Sequence, residues 1–138
     1  MQEPISLKIS LPKIPDIELV ALEGLDRLAR HLGIAEEKIG EARIVVTEAI
    51  INAFEHAAAE RPSVDVEYTM TPKELVVFVR DYGRGFDPGA VETPDLSKKI
   101  TSESKRGWGL HLIKTLSDGF DIQSSNQGTR ITIKKLLS

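Results

Sequence analysis

The chain has 138 residues, 41% of them hydrophobic and 28% charged, with a formal net charge of −3. This predicts one soluble globular domain over residues 1–138, and the slight acidity gives no electrostatic reason to expect direct binding of nucleic acid. The absence of cysteine excludes disulfides and Cys-ligated zinc, and without a signal-peptide pattern or a membrane-spanning apolar run we expect a cytoplasmic protein.

The N-terminal half predicts a strand followed by two helices. Hydrophobic residues alternate over residues 5–11, which is typical of a strand with one buried face. Residues 16–32 carry apolar side chains at helical spacing before Gly33, which suits a helix C-cap. A longer helical pattern covers residues 35–59 and ends before the pair at 61–62, since a residue that precedes proline avoids the helical region.

The C-terminal half predicts two strand pairs separated by a loop and a third helix. Residues 82–106 are rich in Gly, Pro, Asp, Ser and Lys and have almost no apolar period, which indicates a loop. Helical spacing returns at residues 109–117. The predicted strands are 63–70 and 74–81 in the first hairpin, and 120–125 and 129–135 in the second.

The element order is β-α-α-β-β-loop-α-β-β, with strands in adjacent hairpins. This order favours an α+β fold, a two-layer α/β sandwich in which a mostly antiparallel mixed sheet carries three helices on one face. A doubly wound parallel fold is disfavoured because the strands do not alternate with helices.

A first polar motif lies on the predicted second helix. Glu48, Asn52 and His56 recur every four residues and share one face, because each residue of a helix advances about 100°. They could form the solvated side of an amphipathic helix. The alternative is that they form the polar wall of a site, since Asn is a poor residue for a helix interior.

A second motif, DYGRGFDPG, follows directly on an apolar strand. Asp81 ends that strand beside Gly83 and Gly85, which permit positive φ and close approach of the backbone to a ligand. Asp and Gly are also ordinary turn residues, so a simple turn explains the same letters. The carboxylate ladder of an EF-hand is absent.

A third motif, KRGWGL, precedes the predicted third helix. Free N–H groups at a helix start bind phosphate, and Lys105 and Arg106 would add positive charge. The motif is neither a P-loop nor the dinucleotide-binding fingerprint, and no G-x-S-x-G supports a serine nucleophile. The three histidines, which show no metal-ligand spacing, are His31, His56 and His111.

In combination and in order, E-x-x-x-N-x-x-x-H-A, D-x-G-x-G-F-D, the loop, G-x-G-L and a late G-T resemble the GHKL ATPase superfamily. The resemblance covers about residues 5–135 and implies the Bergerat nucleotide-binding fold, as a single histidine-kinase-like ATPase domain. It is greatest to the stand-alone bacterial anti-sigma factors that are serine kinases. It is weaker to sensor histidine kinases, because no phosphoacceptor helical hairpin precedes the domain.

The resemblance implies a site for ATP and Mg²⁺. Asn52 would supply an oxygen to Mg²⁺, a cation that prefers oxygen ligands, and Glu48 would be the general base. Asp81 would accept a hydrogen bond from the adenine amino group, with Gly83 and Gly85 close to the base. The remaining residues assigned to ATP are Gly107, Trp108, Gly109 and Leu110 as N–H donors to phosphate, Thr129 near adenine, and Lys105 and Arg106, either of which aligns with the family's lid arginine.

The function implied is an ATP-dependent serine/threonine-protein kinase of the anti-sigma factor type. Its acceptor would be a STAS-domain anti-anti-sigma protein in partner-switching control of transcription, with an RNA polymerase sigma factor as a second partner and a homodimer as a further expectation. Two alternatives stay open. One is a non-catalytic, ATP-dependent binding module, and the other is the detached ATPase domain of a sensor histidine kinase.

Overall fold

The computed structural model describes residues 3–85 and 102–138, with side chains from residue 109 onward in the second segment. Within these ranges, no helix combines the length and apolar character needed to cross a membrane. The elements in chain order are β1 (Ile5–Leu11), α1 (Glu18–His31), α2 (Glu36–His56), β2 (Val64–Met70), β3 (Glu74–Asp81), α3 (Ser102–Leu116), β4 (Gly119–Ser125) and β5 (Gly128–Leu136).

The five described strands form one open sheet in the order β1-β2-β3-β5-β4. All four pairings are antiparallel, so the described sheet has no parallel pair. Helix α1 packs on β1 and β2, α2 packs on β2, β3 and β5, and α3 packs on β4. The predicted two-layer α+β sandwich with three helices is therefore confirmed.

Helix α2 packs on β2, β3 and β5 with three alanines in its buried face. Ala42, Ala49 and Ala53 are almost fully buried, and such small side chains allow the helix to approach the strands closely. Helix α1 is tied to the sheet by a buried tyrosine, since the Tyr68 hydroxyl donates a hydrogen bond to the carbonyl oxygen of Ala21 at 2.8 Å. The core lies between α2 and the central strands.

Three helix boundaries differ from the sequence prediction. Helix α1 begins at Glu18 because Asp16 has a φ of 61°, which a right-handed helix does not allow. Helix α2 ends at His56 because Ala57 is extended, with ψ of 141°. Strand boundaries agree within one residue, which is within the ordinary uncertainty of assignment.

The third difference concerns α3, which begins at Ser102 and so includes residues predicted as loop. Two glycines at positions 107 and 109 lower helix propensity by about 1 kcal/mol each relative to alanine but do not terminate a helix. Residues 86–101 of the predicted loop lie outside the described part of the chain.

A buried lysine joins the two layers at the C-terminal end of α3. Lys135 is 2% exposed, in alternation with the inward-facing Ile131 and Ile133. Its ammonium donates to the Glu41 carboxylate of α2 at 2.5 Å and to the carbonyl oxygen of Leu116 at 2.8 Å. The lysine thus compensates one of the carbonyl groups that a helix leaves without a partner at its C-terminus.

We predict that Lys135→Met lowers the free energy of unfolding by about 2 kcal/mol, because it leaves the Leu116 carbonyl and Glu41 without their donor. The matched control is Lys134→Met on the opposite face. Lys134 pairs with Glu74 at 3.2 Å where both side chains are solvated, so its loss should cost less than about 0.5 kcal/mol. Urea denaturation measures both, and equal losses would contradict the prediction.

Candidate functional site

A buried carboxylate ends the central strand β3. Asp81 continues the inward alternation of that strand and is almost inaccessible to solvent. It accepts a hydrogen bond from the N–H of Gly83 at 2.9 Å. Burial raises the pKa of Asp81, while the backbone N–H groups of Gly83 and Thr129 and the nearby His56 act in the opposite direction. A buried carboxylate with free lone pairs can accept a hydrogen bond from an amino group.

Strand β5 adds hydroxyl groups beside this carboxylate. Thr129 pairs directly with Asp81 across β3 and β5 and is buried. Its hydroxyl oxygen lies 2.8 Å from that of Ser124 on β4. The structure therefore brings the predicted Asp81 and Thr129 together. Ser124 was not predicted from the sequence as a site residue. Its alternation with Phe120 and Ile122 on β4 is the signal that indicates an inward-facing side chain.

The chain leaves β3 in close contact with the end of α2. A Cβ atom on Gly83 would overlap the carbonyl oxygen of His56, the last residue of α2. A Cβ atom on Gly128, whose φ is 134°, would likewise overlap the carbonyl oxygen of Asp81. No residue with a side chain fits at either position without a backbone shift. The predicted Gly85 also has positive φ, and its backbone contacts that of Ser125.

The amide of Asn52 is the least satisfied buried group in this region. Asn52 is 5% exposed, and neither its oxygen nor its nitrogen has a hydrogen-bond partner among the described residues. An unsatisfied buried polar group costs about 1–3 kcal/mol, so its retention needs an explanation. Its burial rules out the solvated helix face that the sequence had left open for this residue.

An amide oxygen of this kind suits a bound Mg²⁺, which prefers oxygen ligands. Among the described side chains, those of residues 3–85 and 109–138, no group of three or more His, Asp or Glu could hold a metal ion. A magnesium ion at Asn52 would therefore take its other ligands from phosphate oxygens and water, as Mg²⁺ often does in proteins. The orphaned amide thus fits the predicted group.

Glu48 stands one helical turn before Asn52 and is half-buried. Burial raises the pKa of Glu48, and the negative charge of Glu55 raises it further. The backbone of α3 lies against this carboxylate, since a Cβ atom on Gly109 would come within 3.0 Å of Glu48 Oε2. The fold therefore places a carboxyl group of increased basicity next to the orphaned amide and to the predicted G-x-G segment.

The predicted phosphate-binding N–H groups are not free in this structure. Gly107, Trp108, Gly109 and Leu110 lie inside α3, and only the first four N–H groups of a helix lack an intrahelical partner. Leu110 is moreover a core residue, 6% exposed. The prediction that Gly107 and Trp108 precede the third helix is therefore wrong, whereas Gly109 and Leu110 are helical as predicted. The side chains of Lys105 and Arg106 lie outside the described part of the chain.

Comparison with known proteins places this arrangement in a family. Residues 16–135 match the histidine kinase-like ATPase domain. Since the match covers most of the sequence, the chain belongs to this family, and the predicted resemblance to GHKL ATPases is confirmed. Membership implies the use of ATP.

Curated relatives match over nearly the whole chain. The serine-protein kinase RsbW of Halalkalibacterium halodurans is 26% identical over 141 residues, which cover 99% of this chain and 86% of the relative. The serine-protein kinase RsbW of Bacillus velezensis is 29% identical over 140 residues, which cover 96% of this chain and 86% of the relative.

Solved structures support the fold. The RsbU and RsbW domains of a Mycobacterium tuberculosis protein match with a TM-score of 0.70 at 20% identity over 96% of this chain. This chain spans 32% of that solved chain. A blue-light-activated histidine kinase of Erythrobacter litoralis matches with a TM-score of 0.52 at 26% identity. The match covers 76% of this chain and 32% of the kinase chain.

We predict that Asn52→Leu stabilises the ligand-free protein while it abolishes nucleotide binding. The substitution removes two buried polar atoms without partners and improves helix propensity, so the free energy of unfolding should rise by about 1–2 kcal/mol. Thermal denaturation with and without Mg-ATP measures both effects. The control is Asn126→Leu, which replaces the chain's other asparagine in an exposed turn and should keep the response to Mg-ATP. Lower stability or an intact response in Asn52→Leu contradicts the prediction.

We further predict that Gly83→Ala lowers the free energy of unfolding by at least about 2 kcal/mol, because its methyl group would displace the end of α2 from β3. The control is Gly40→Ala within α2, where no heavy atom lies within 4 Å of the added Cβ. That substitution should stabilise the protein by up to about 1 kcal/mol. Urea denaturation of the two variants should give shifts of opposite sign, and shifts of the same sign would refute this explanation.

Proposed function

We propose that the chain is an ATP-dependent serine/threonine-protein kinase of the anti-sigma factor type. The observation that carries the proposal is the half-buried Glu48, whose pKa is raised and which stands one turn from the unsatisfied amide of Asn52. The RsbW relatives that match over nearly the whole chain are named serine-protein kinases. A carboxylate next to a cation and phosphate site is the arrangement that phosphoryl transfer to a hydroxyl requires.

In this proposal the nucleotide lies between the end of β3 and α2. Asp81 and Thr129 bind the adenine, and the oxygen of Asn52 would hold Mg²⁺, a cation that when bound neutralises phosphate charge. All three side chains are buried, so their bonds to the ligand would form in surroundings where electrostatic interactions are strong. The lid cations Lys105 and Arg106 would contact the phosphates or the acceptor.

Glu48 would accept the proton of the acceptor hydroxyl. As the hydroxyl oxygen forms its bond to the γ-phosphorus of ATP, the bond from that phosphorus to the bridging β–γ oxygen breaks and ADP leaves. The proton moves to the Glu48 carboxylate and then to water. A general base works best when its pKa lies close to the working pH, so burial and the Glu55 charge both favour this role.

The acceptor would be a serine or threonine of a STAS-domain anti-anti-sigma protein, as the family resemblance implies. The same proposal includes a sigma factor as a second protein partner, a homodimer, a single domain over residues 1–138 and a cytoplasmic location. It includes no nucleic acid and no membrane partner. Phosphorylation of the STAS protein would then switch the chain from one partner to the other.

The proposal is tested by incubating the protein with Mg-ATP and purified STAS-domain proteins of the same genome, with phosphoserine and phosphothreonine read by mass spectrometry. We expect transfer to at least one of them, and a loss of roughly 100-fold or more in Glu48→Gln, since general bases contribute about that much. Glu48→Gln should still bind Mg-ATP. Absence of transfer by the wild type, or full transfer by Glu48→Gln, would refute the proposal.

The pH dependence of transfer adds a second readout of the same base. Because Glu48 must be ionised to accept a proton, the rate should fall as the pH falls through its pKa, which burial raises from the ordinary glutamate value. Glu55→Gln removes a like charge and should move this acid limb to lower pH. The control is Glu37→Gln at the start of α2, distant along the helix from Glu48, and it should leave the limb unchanged.

A further inference from the structure

Two exposed isoleucines flank Glu48 on helix α2. Ile44 and Ile51 are 46% and 42% exposed, although most large hydrophobic side chains of the described residues are covered. They are seven residues apart, which is two turns and about 10.5 Å along the helix. We call this pair the outer strip. Scattered single exposures need no explanation, but two on the same face beside a candidate catalytic carboxylate do.

Glu48 separates two sides of the surface of α2. At about 100° per residue, Asn52 lies roughly 40° to one side of Glu48, and Ile44 and Ile51 lie roughly 40–60° to the other. The Asn52 flank is buried and, in the proposed function, belongs to the nucleotide. The outer strip is open to solvent, so it offers the acceptor an approach to the Glu48 carboxylate.

Neighbouring helices bound the outer strip without covering it. On one side the backbone of α3 contacts Glu48 at Gly109. On the other side Arg43 of α2 forms an ion pair with Asp26 of α1 at 2.5 Å. At about 100° per residue, Ile44 and Ile51 lie between Glu48 and Arg43 around the axis of α2. The outer strip is therefore adjacent to the Glu48 carboxylate.

We infer that the outer strip is the docking surface for the acceptor protein, an inference that rests on the proposed kinase function. The occupant is a folded protein whose phosphorylated serine or threonine neighbours an apolar side chain that covers Ile44 and Ile51. Apolar anchors suit this position because their burial supplies affinity without placing a further charge beside Glu48. Docking there brings the acceptor hydroxyl to the carboxylate from the side opposite Asn52.

The test uses Ile44→Gln, Ile51→Gln and the double variant, because glutamine is polar but uncharged and is well tolerated in helices. The control is Leu136→Gln, since Leu136 is 45% exposed but lies on β5, outside α2. The measurement is steady-state phosphate transfer to a purified STAS-domain protein that the wild type phosphorylates, together with the Kd for Mg-ATP. Circular dichroism and the Mg-ATP affinity confirm that each variant is folded.

We expect the double variant to raise the KM for the acceptor roughly tenfold, equal to about 1.4 kcal/mol, with kcat and the Kd for Mg-ATP unchanged. Each single variant should show part of the effect, and Leu136→Gln none. A wild-type KM in the double variant, or an equal rise in Leu136→Gln, overturns the docking surface and leaves the kinase proposal standing. A fall in kcat alone also overturns it, because the residues would then act on the chemistry. If the wild type transfers phosphate to no STAS-domain protein, both proposals fail.

Discussion

The backbone contact between Gly83 and the end of α2 is the constraint on which the site depends. It allows the chain beyond β3 to lie against the carbonyl oxygen of His56. This contact fixes the end of the central strand relative to the last turn of the helix. Asp81 lies two residues before Gly83 and Asn52 lies one helical turn before His56, so the contact also limits the separation of these two polar groups. A side chain at position 83 would widen the gap and move the two polar groups apart.

The groups near this contact are individually unfavourable for folding. Asn52 has no partner among the described residues, and burial raises the pKa of both Asp81 and Glu48. Stability comes from other parts of the molecule. The alanine-lined face of α2, the four antiparallel pairings and the buried Lys135 hold the layers together. The scaffold therefore fixes polar groups in positions that they would not adopt in isolation, as is typical of binding and catalytic sites.

The hydrophobic alternation of the sequence predicted those features that depend only on neighbouring residues. Strands β1 and β3 have the predicted bounds because alternation reports directly which face is buried, and the same alternation places Asp81 on the inner face. The pairing of Asp81 with Thr129 could not be predicted from periodicity, because it depends on β5 lying beside β3. The start of α3 was missed because two glycines were interpreted as the boundary of the helix. Periodicity also left open whether the polar face of α2 is solvated or buried. Tertiary packing decides this, because it buries Asn52 and leaves Ile44 and Ile51 exposed.

The unsatisfied amide of Asn52 also bears on how long the protein survives in a cell. Any ligand that satisfies it binds only the folded chain, so the ligand concentration enters the folding equilibrium. At a hundred times its dissociation constant, such a ligand adds about 2.7 kcal/mol of stability. Proteases degrade chains mainly through their unfolded fraction, which falls in proportion. Turnover of the protein would then slow when its ligand is plentiful and accelerate when the ligand is scarce.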